Sequence, residues 1–151
     1  MITWHCKSFD ELSVKEFHDI ISLRISVFVV EQKCAFQELD GFDLASLHVF
    51  GTNEKNEIIS VARLIPENVI YKEASIGRVS TRLDYRRVGL GRPLMDFSMK
   101  KLYESFGNVP IKIMAQKYLE KFYMEYGFAP VGDDFIEDDI VHVYMICPAK
   151  L

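Results

Sequence analysis

The segment that most restricts what this chain can become runs from Ile76 to Arg92, Ile-Gly-Arg-Val-Ser-Thr-Arg-Leu-Asp-Tyr-Arg-Arg-Val-Gly-Leu-Gly-Arg. Its start is strand-like, its middle is a polar turn, and its two glycines fall where Leu90, Leu94, Met95, Met99, Leu102 and Phe106 begin a helical period. The first turn of a helix leaves peptide N–H groups unpaired and carries the positive end of the helix dipole. Glycine at that point lets an anion approach the backbone. The arc Val88-Gly89-Leu90-Gly91-Arg92 therefore reads as a diphosphate seat, with Arg86, Arg87 and Arg92 adding charge and Pro93 having no N–H to give.

Two other phosphate loops are excluded by their own requirements. A Walker loop ends in Gly-Lys-Ser/Thr, whereas this one ends Gly-Arg-Pro. A dinucleotide fingerprint needs a third glycine and an acidic residue about 20 positions on, within a βαβ unit near the start of a doubly wound sheet. The chain supplies neither.

The rest of the pattern is a mixture of short strands and helices. Ile2 to Cys6 alternates as a half-buried strand does, and Ser13-x-x-Glu16 is a capping box that starts a helix. Phe17, Ile21, Arg24 and Phe28 lie on one side of that helix, so an arginine shares a side with three apolar residues and needs a partner. From Val30 to Ala45 no period holds, and the acid-rich stretch is expected to be a long surface loop. Ser46–Thr52 and Glu57–Leu64 form a hairpin about Asn53-Glu54-Lys55-Asn56, Ala74–Ser80 is a strand, and Gly89–Phe106 a helix. Val109–Ala115, Tyr118–Tyr126 and Ile140–Cys147 read as strand, short helix and strand, giving the order βαββ(β)αβαβ(β).

With 151 residues, 49% of them apolar, and no repeat or linker, residues 1–151 are expected to form a single domain. A formal net charge of −4 argues against a nucleic-acid module built on a basic face. No apolar run approaches the roughly 18 residues of a membrane span, and the N-terminus does not have the form of an export signal. Cys6, Cys34 and Cys147 are widely spaced, which suits a reducing cytoplasm and neither disulfides nor zinc.

Arg86, Gly89 and Gly91 between strand and helix resemble the acetyl-CoA signature of the GNAT superfamily, Arg/Gln-x-x-Gly-x-Gly/Ala. Gln116 to Phe128 resembles the second signature of that superfamily, Asn-x-x-Ala-x-x-Phe-Tyr-x-x-x-Gly-Phe. Phe122, Tyr123, Gly127 and Phe128 match it, while Gln116 and Leu119 replace the usual Asn and Ala. Leu23–Gln32, Glu38-x-Asp40-Gly41 and Glu137–His142 are similar to the ElaA-type branch. The resemblance implies an α/β (α+β) fold with a central mixed, mostly antiparallel sheet flanked by helices. It also implies an N-acetyltransferase that uses acetyl-CoA without a metal and acetylates the amine of a small molecule or peptide by direct attack in a ternary complex. Neither nucleic acid nor membrane is expected as a partner, and the oligomeric state is left between monomer and homodimer.

The resemblance also implies site residues. Backbone groups of Val79, Ser80 and Thr81 would hold the pantetheine arm, Gln116 would stand beside it, and Tyr123 would give a proton to the departing thiolate. Packing at the helix edge, beside an inner stripe of Leu119, Phe122 and Tyr126, is the competing role for Tyr123. Relatives place a glutamate base in the strand before the glycine loop, where Ser75 aligns here and Glu73 is a weak substitute. Glu38, His48 and His142 are the remaining proton relays. Arg24 with Glu38, Asp40 and Asp43 forms either an acceptor pocket or an ion pair that fixes the long loop, and Arg63 and Arg78 are expected to meet carboxylates on the sheet. A second function class, a non-catalytic acyl-CoA sensor or adaptor, would keep the glycine loop and be indifferent to Tyr123.

Overall fold

The structure, a computed structural model, describes residues Met1 to Leu151. Its elements in chain order are β1 (Thr3–Ser8), α1 (Val14–Ile25), β2 (Leu47–Thr52), β3 (Ile58–Ile65), β4 (Ser75–Thr81), α2 (Gly91–Phe106), β5 (Ile111–Gln116), α3 (Glu120–Met124), β6 (Ala129–Glu137) and β7 (Ile140–Cys147). Strands β1-β2-β3-β4 form one antiparallel sheet and β5-β7-β6 a second. A parallel bridge between Ala74 and Ile111 joins them, with Lys112 N–H donating to Ala74 O at 2.8 Å and Ala74 N–H to Pro110 O at 3.1 Å. Because β4 and β5 are tied only at their beginnings, their far ends part. The functional cleft lies in that gap.

Alternation along the central strands divides the core in two. Val49, Ala62 and Leu64 face α2 and join Leu94, Met95, Leu102, Ile113 and Met145, so residues of both sheets share one core. Phe50 and Val61 point the other way, onto Ile20, Leu23 and Val27 of the α1 side. Burying a side chain of that size contributes about 1.5–3 kcal/mol. Helices on opposite faces thus hold the sheet rigidly beneath the cleft.

Helix α1 begins as its capping box requires: Glu16 N–H donates to Ser13 Oγ at 3.0 Å, and Ser13 N–H to Glu16 Oε1 at 2.9 Å. Its end differs from expectation, because residues Ser26–Glu31 continue as a wider π-helical turn. Bonds from Gln32 N–H to Val27 O and Cys34 N–H to Val29 O span five residues and rotate this last turn toward the cleft. The loop that follows is not simply a surface loop, since Glu38 and Asp43 are buried within it. Helix α2 starts at Gly91, two residues later than its period suggests, because Gly89 takes φ +80° and ends the loop in a left-handed conformation. Strand β6 is an addition to the elements that the sequence pattern assigns; its residues are almost all exposed and carry no period.

Candidate active site

The cleft encloses a cavity of about 400 Å³, within the range of small-ligand sites. One wall is β4 from Ile76 to Thr81, and the opposite wall is Ile113, Met114 and Gln116 of β5 with Tyr123 of α3. Val27, Phe28, Glu31 and Gln32 of the π-helical turn close one side, and the β6–β7 turn with His142 closes another. Of the expected site residues, Val79, Ser80, Thr81, Arg86, Gln116, Tyr123 and His142 line this space.

The glycine arc lies at the N-terminus of α2. From Arg87 through Arg92 the peptide N–H groups donate to no acceptor within the protein, and no side chain caps the helix. Both Arg87 (φ +65°) and Gly89 (φ +80°) are left-handed, which turns successive N–H groups to one side, as anion nests require. Arg87 is exposed and makes no ion pair, so its charge is available to an anion. Arg86 differs from expectation: its Nε donates to Thr81 O at 2.9 Å, and its two Nη groups grip Glu31 at 2.6 and 2.8 Å. It fastens β4 to the end of the first helix and is not a free phosphate ligand. Arg92 reaches Glu125 at 2.7 Å across the Phe122 ring.

Tyr123 is 9% exposed, more buried than Leu119, Phe122 or Tyr126, which were expected to form the inner stripe. Its ring meets Phe122 and Phe128 edge-on at centroid distances of 5.3 and 6.1 Å. Burial, with a smaller contribution from Tyr118, pushes its phenol up to about 12. The hydroxyl has no hydrogen-bond partner in the protein, and the residue lines the cavity. His142, opposite Gln116 on β5 and stacked on Phe135, has Nδ1 2.8 Å from Ile140 O. Donation from Nδ1 leaves Nε2 as the acceptor nitrogen.

The other expected substrate residues do not reach the cavity. Arg24, 1% exposed, binds Glu38 Oε2 through Nε at 2.8 Å and Asp43 Oδ1 through Nη1 at 2.7 Å. Arg63 grips Asp40 at 2.9 and 3.0 Å and shares Asp43 at 3.1 Å. For Asp40, burial works to raise the pKa but is outweighed by the Arg63 hydrogen bonds and charge, which hold it below its ordinary value. Arg24, Glu38 and Asp40 therefore belong to an ionic lattice that fastens the long loop to helix and sheet, and the acceptor-pocket reading of them is corrected. His48 belongs to the same layer: its Nε2 lies 2.9 Å from Asp43 O, and burial keeps its pKa low. Neither Glu73 nor Ser75 lines the cavity, so no carboxylate stands on that strand.

Arg78 stands there instead, and the sequence reading did not assign it to the site. Opposite Ala62, both Arg78 and Val79 fit into the space of one residue, forming a β-bulge with Arg78 at φ +51°. The available signal was the three-residue spacing of Ile76 and Val79, which is out of step with a regular strand. Phe28, Phe36, Glu137 and Asp138 were also missed as wall residues, because they come from irregular segments. No group of three metal-ligating side chains converges anywhere in the fold, and no helix is long and apolar enough to cross a membrane.

Residues 11–148 match the family described as acetyltransferase (GNAT) domain. A UPF0039 protein of Synechocystis is 37% identical over 145 residues, covering 96% of this chain and 94% of that protein. Protein ElaA of Escherichia coli is 33% identical over 147 residues, covering 96% and 95%. Among solved structures, an acyl-CoA N-acyltransferase from Pseudomonas aeruginosa superposes with a TM-score of 0.92 at 34% identity, covering 97% of this chain and 99% of that one. The crystal structure of Escherichia coli ElaA gives 0.90 at 32% identity, with 97% and 99% covered.

Proposed function

The chain belongs to the GNAT acetyltransferase family, and on that premise we propose that it moves an acetyl group from acetyl-CoA to the primary amine of a small molecule or peptide, by direct attack in a ternary complex. The observation that carries the donor is the run of unengaged N–H groups from Arg87 to Arg92 beside a free Arg87. Such an arc fits a diphosphate, and the cavity walled by β4 from Ile76 to Thr81 is where a pantetheine arm would follow. The whole chain would work as one domain in a reducing cytoplasm, where Cys6, Cys34 and Cys147 remain free thiols.

Acetyl-CoA brings the activated thioester; the protein supplies position and protons. The backbone of Val79, Ser80 and Thr81 aligns the carrier along the open edge of β4, whose partner strand β3 lies on its other side. Tyr123, without an internal partner, offers its O–H to the sulfur as negative charge builds there. His142, its Nδ1 committed to Ile140, takes a proton from the acceptor ammonium through Nε2, directly or through a water, which frees the amine lone pair for attack on the thioester carbon. The Tyr123 hydroxyl, unpartnered on a residue that lines the cavity, favours this reading over a binding module, which has no use for such a phenol.

The test of the reading is ligand-linked stability. A ligand selective for the folded state adds about 2.7 kcal/mol at a hundredfold excess over Kd. Acetyl-CoA should therefore raise the melting temperature of the wild type. The same measurement on Gly89→Glu should give no shift, because φ +80° disfavours any side chain and the new carboxylate repels the diphosphate. A wild-type curve unmoved by saturating acetyl-CoA would remove the donor assignment.

A further inference from the structure

We infer that Arg78 selects the acceptor, and that the amine it selects carries a carboxylate, an inference that rests on the acyltransferase reading above. The backbone points to it first. A non-glycine residue at φ +51° is strained by roughly 1–2 kcal/mol, and such strain persists only where surrounding structure imposes it. The bulge that creates this conformation turns Arg78 out of the regular alternation and into the wall of the cavity.

The side chain is then held from several directions. Its guanidinium carbon lies 4.8 Å from the centre of the Phe28 ring and 5.5 Å from that of Phe36, so the charge is shielded from water. Its Nε lies 3.1 Å from Glu38 Oε2, close enough for an ion pair although not aligned as a hydrogen bond. Glu38 is itself fixed by Arg24 at 2.8 Å. What remains is the Nη1 and Nη2 end, which makes no hydrogen bond, on a side chain that is 27% exposed.

No other wall group competes for that role. Arg86 has both Nη groups on Glu31, which leaves Arg78 as the one cavity guanidinium whose Nη groups are free. Two free N–H edges of a planar guanidinium match the two oxygens of a carboxylate. Glu137 and Asp138, which also line the cavity and form no salt bridge, favour the cationic end of the same molecule. A compact amino acid satisfies both ends within about 400 Å³, shared with the acetyl donor.

The experiment compares paired acceptors that differ only in charge. Glycine, alanine, leucine and phenylalanine are each assayed against their carboxamides by thiol release from acetyl-CoA, using wild type, Arg78→Gln and Arg78→Gly. Glycine suits the left-handed φ, so Arg78→Gly keeps the fold even if Arg78→Gln disturbs it. For an accepted side chain, kcat/KM should favour the carboxylate by roughly ten- to hundredfold in the wild type and by little in either variant. Acetyl-CoA affinity should not change. A wild-type ratio near one, or variants that lower both members of a pair alike, overturns the inference.

A second arm needs no turnover. N-acetylalanine and N-acetylalaninamide are titrated calorimetrically into the CoA-loaded protein. Tighter binding of the carboxylate, lost in Arg78→Gly, supports the inference; equal binding, or none at millimolar concentration, overturns it while the acyltransferase reading stands. Absence of any heat with acetyl-CoA itself would remove both.

Discussion

Replacing Tyr123 with phenylalanine separates chemistry from packing more cleanly than any other change in the cavity. The ring contacts with Phe122 and Phe128 are kept, and the lost hydroxyl has no internal hydrogen bond to forfeit. Stability should therefore change by no more than about 1 kcal/mol. In reference compounds a phenol at about 10 is a weaker acid than a thiol at about 8.5, and burial raises both alike. Tyr123 is thus expected to stabilise the leaving sulfur chiefly by donating a hydrogen bond, with little net proton transfer. Removing such a donor costs roughly 10²-fold in kcat, or about 2.7 kcal/mol. Single-turnover thiol release with saturating acetyl-CoA and the best acceptor reads this directly, and a variant within about twofold of wild type would refute the role.

The same burial fixes the expected pH behaviour. A phenol pushed up to about 12 stays protonated through the working range, so Tyr123 should impose no alkaline limb on the rate below about pH 10. Stability behaves differently. Because the folded value is raised above the unfolded value, the contribution of Tyr123 is fully present below pH 10 and is lost as pH rises from about 10 to about 12. Tyr71 and Tyr103, also pushed up to about 12, act in the same direction. Melting temperatures across that window should fall less steeply for Tyr123→Phe than for wild type; identical slopes would show that its phenol is not buried as described.

Two further substitutions test other parts of the structure. Arg24→Met leaves the buried Glu38 and Asp43 short of a partner and should cost about 3–5 kcal/mol in denaturant unfolding, whereas Arg24→Met with Glu38→Leu and Asp43→Leu should recover much of that loss. A single variant as stable as wild type would mean that the lattice does not hold the loop. His142→Gln should lower kcat on the order of tenfold or more with acetyl-CoA affinity unchanged, and an unaffected rate at neutral pH would assign proton removal to solvent.

The parts of the site legible in the sequence are those set by local backbone rules. The glycine arc could be read because a helix start and a left-handed glycine are short-range features, and the Ser13 cap because its partner is three residues away. Tyr123 was identified by its signature, but its burial was misjudged: a helix of Glu120–Met124 is too short for period alone to say which face turns inward. Arg86, Glu38 and Asp40 carried the right charge for a ligand site and were already committed elsewhere. Their partners Glu31, Arg24 and Arg63 are 55, 14 and 23 residues away, respectively. Pairing over such distances depends on how sheet and loop come together, which no local pattern encodes. Arg78 stayed hidden for a related reason, since a bulge exchanges inward and outward positions in the middle of a strand.

That lattice of arginines and acids invites the question of why it is ionic at all. Buried ion pairs replaced by well-packed apolar residues are often neutral or more stable, so stability alone does not explain Arg24, Arg63 and their carboxylates. Geometry does. The acids all come from the loop between α1 and β2, and the arginines from α1, β3 and β4, so each pair sets the height and register of the loop over the sheet. Hydrophobic contacts are non-directional and would let Phe36 slide, whereas Glu38 held at once by Arg24 and Arg78 fixes both the loop and the guanidinium beneath Phe36. The triple apolar replacement discriminates here: if it restores stability while acceptor KM rises and acetyl-CoA binding is unchanged, the charges serve to position the cavity wall, and if activity returns together with stability they serve only to hold the loop down.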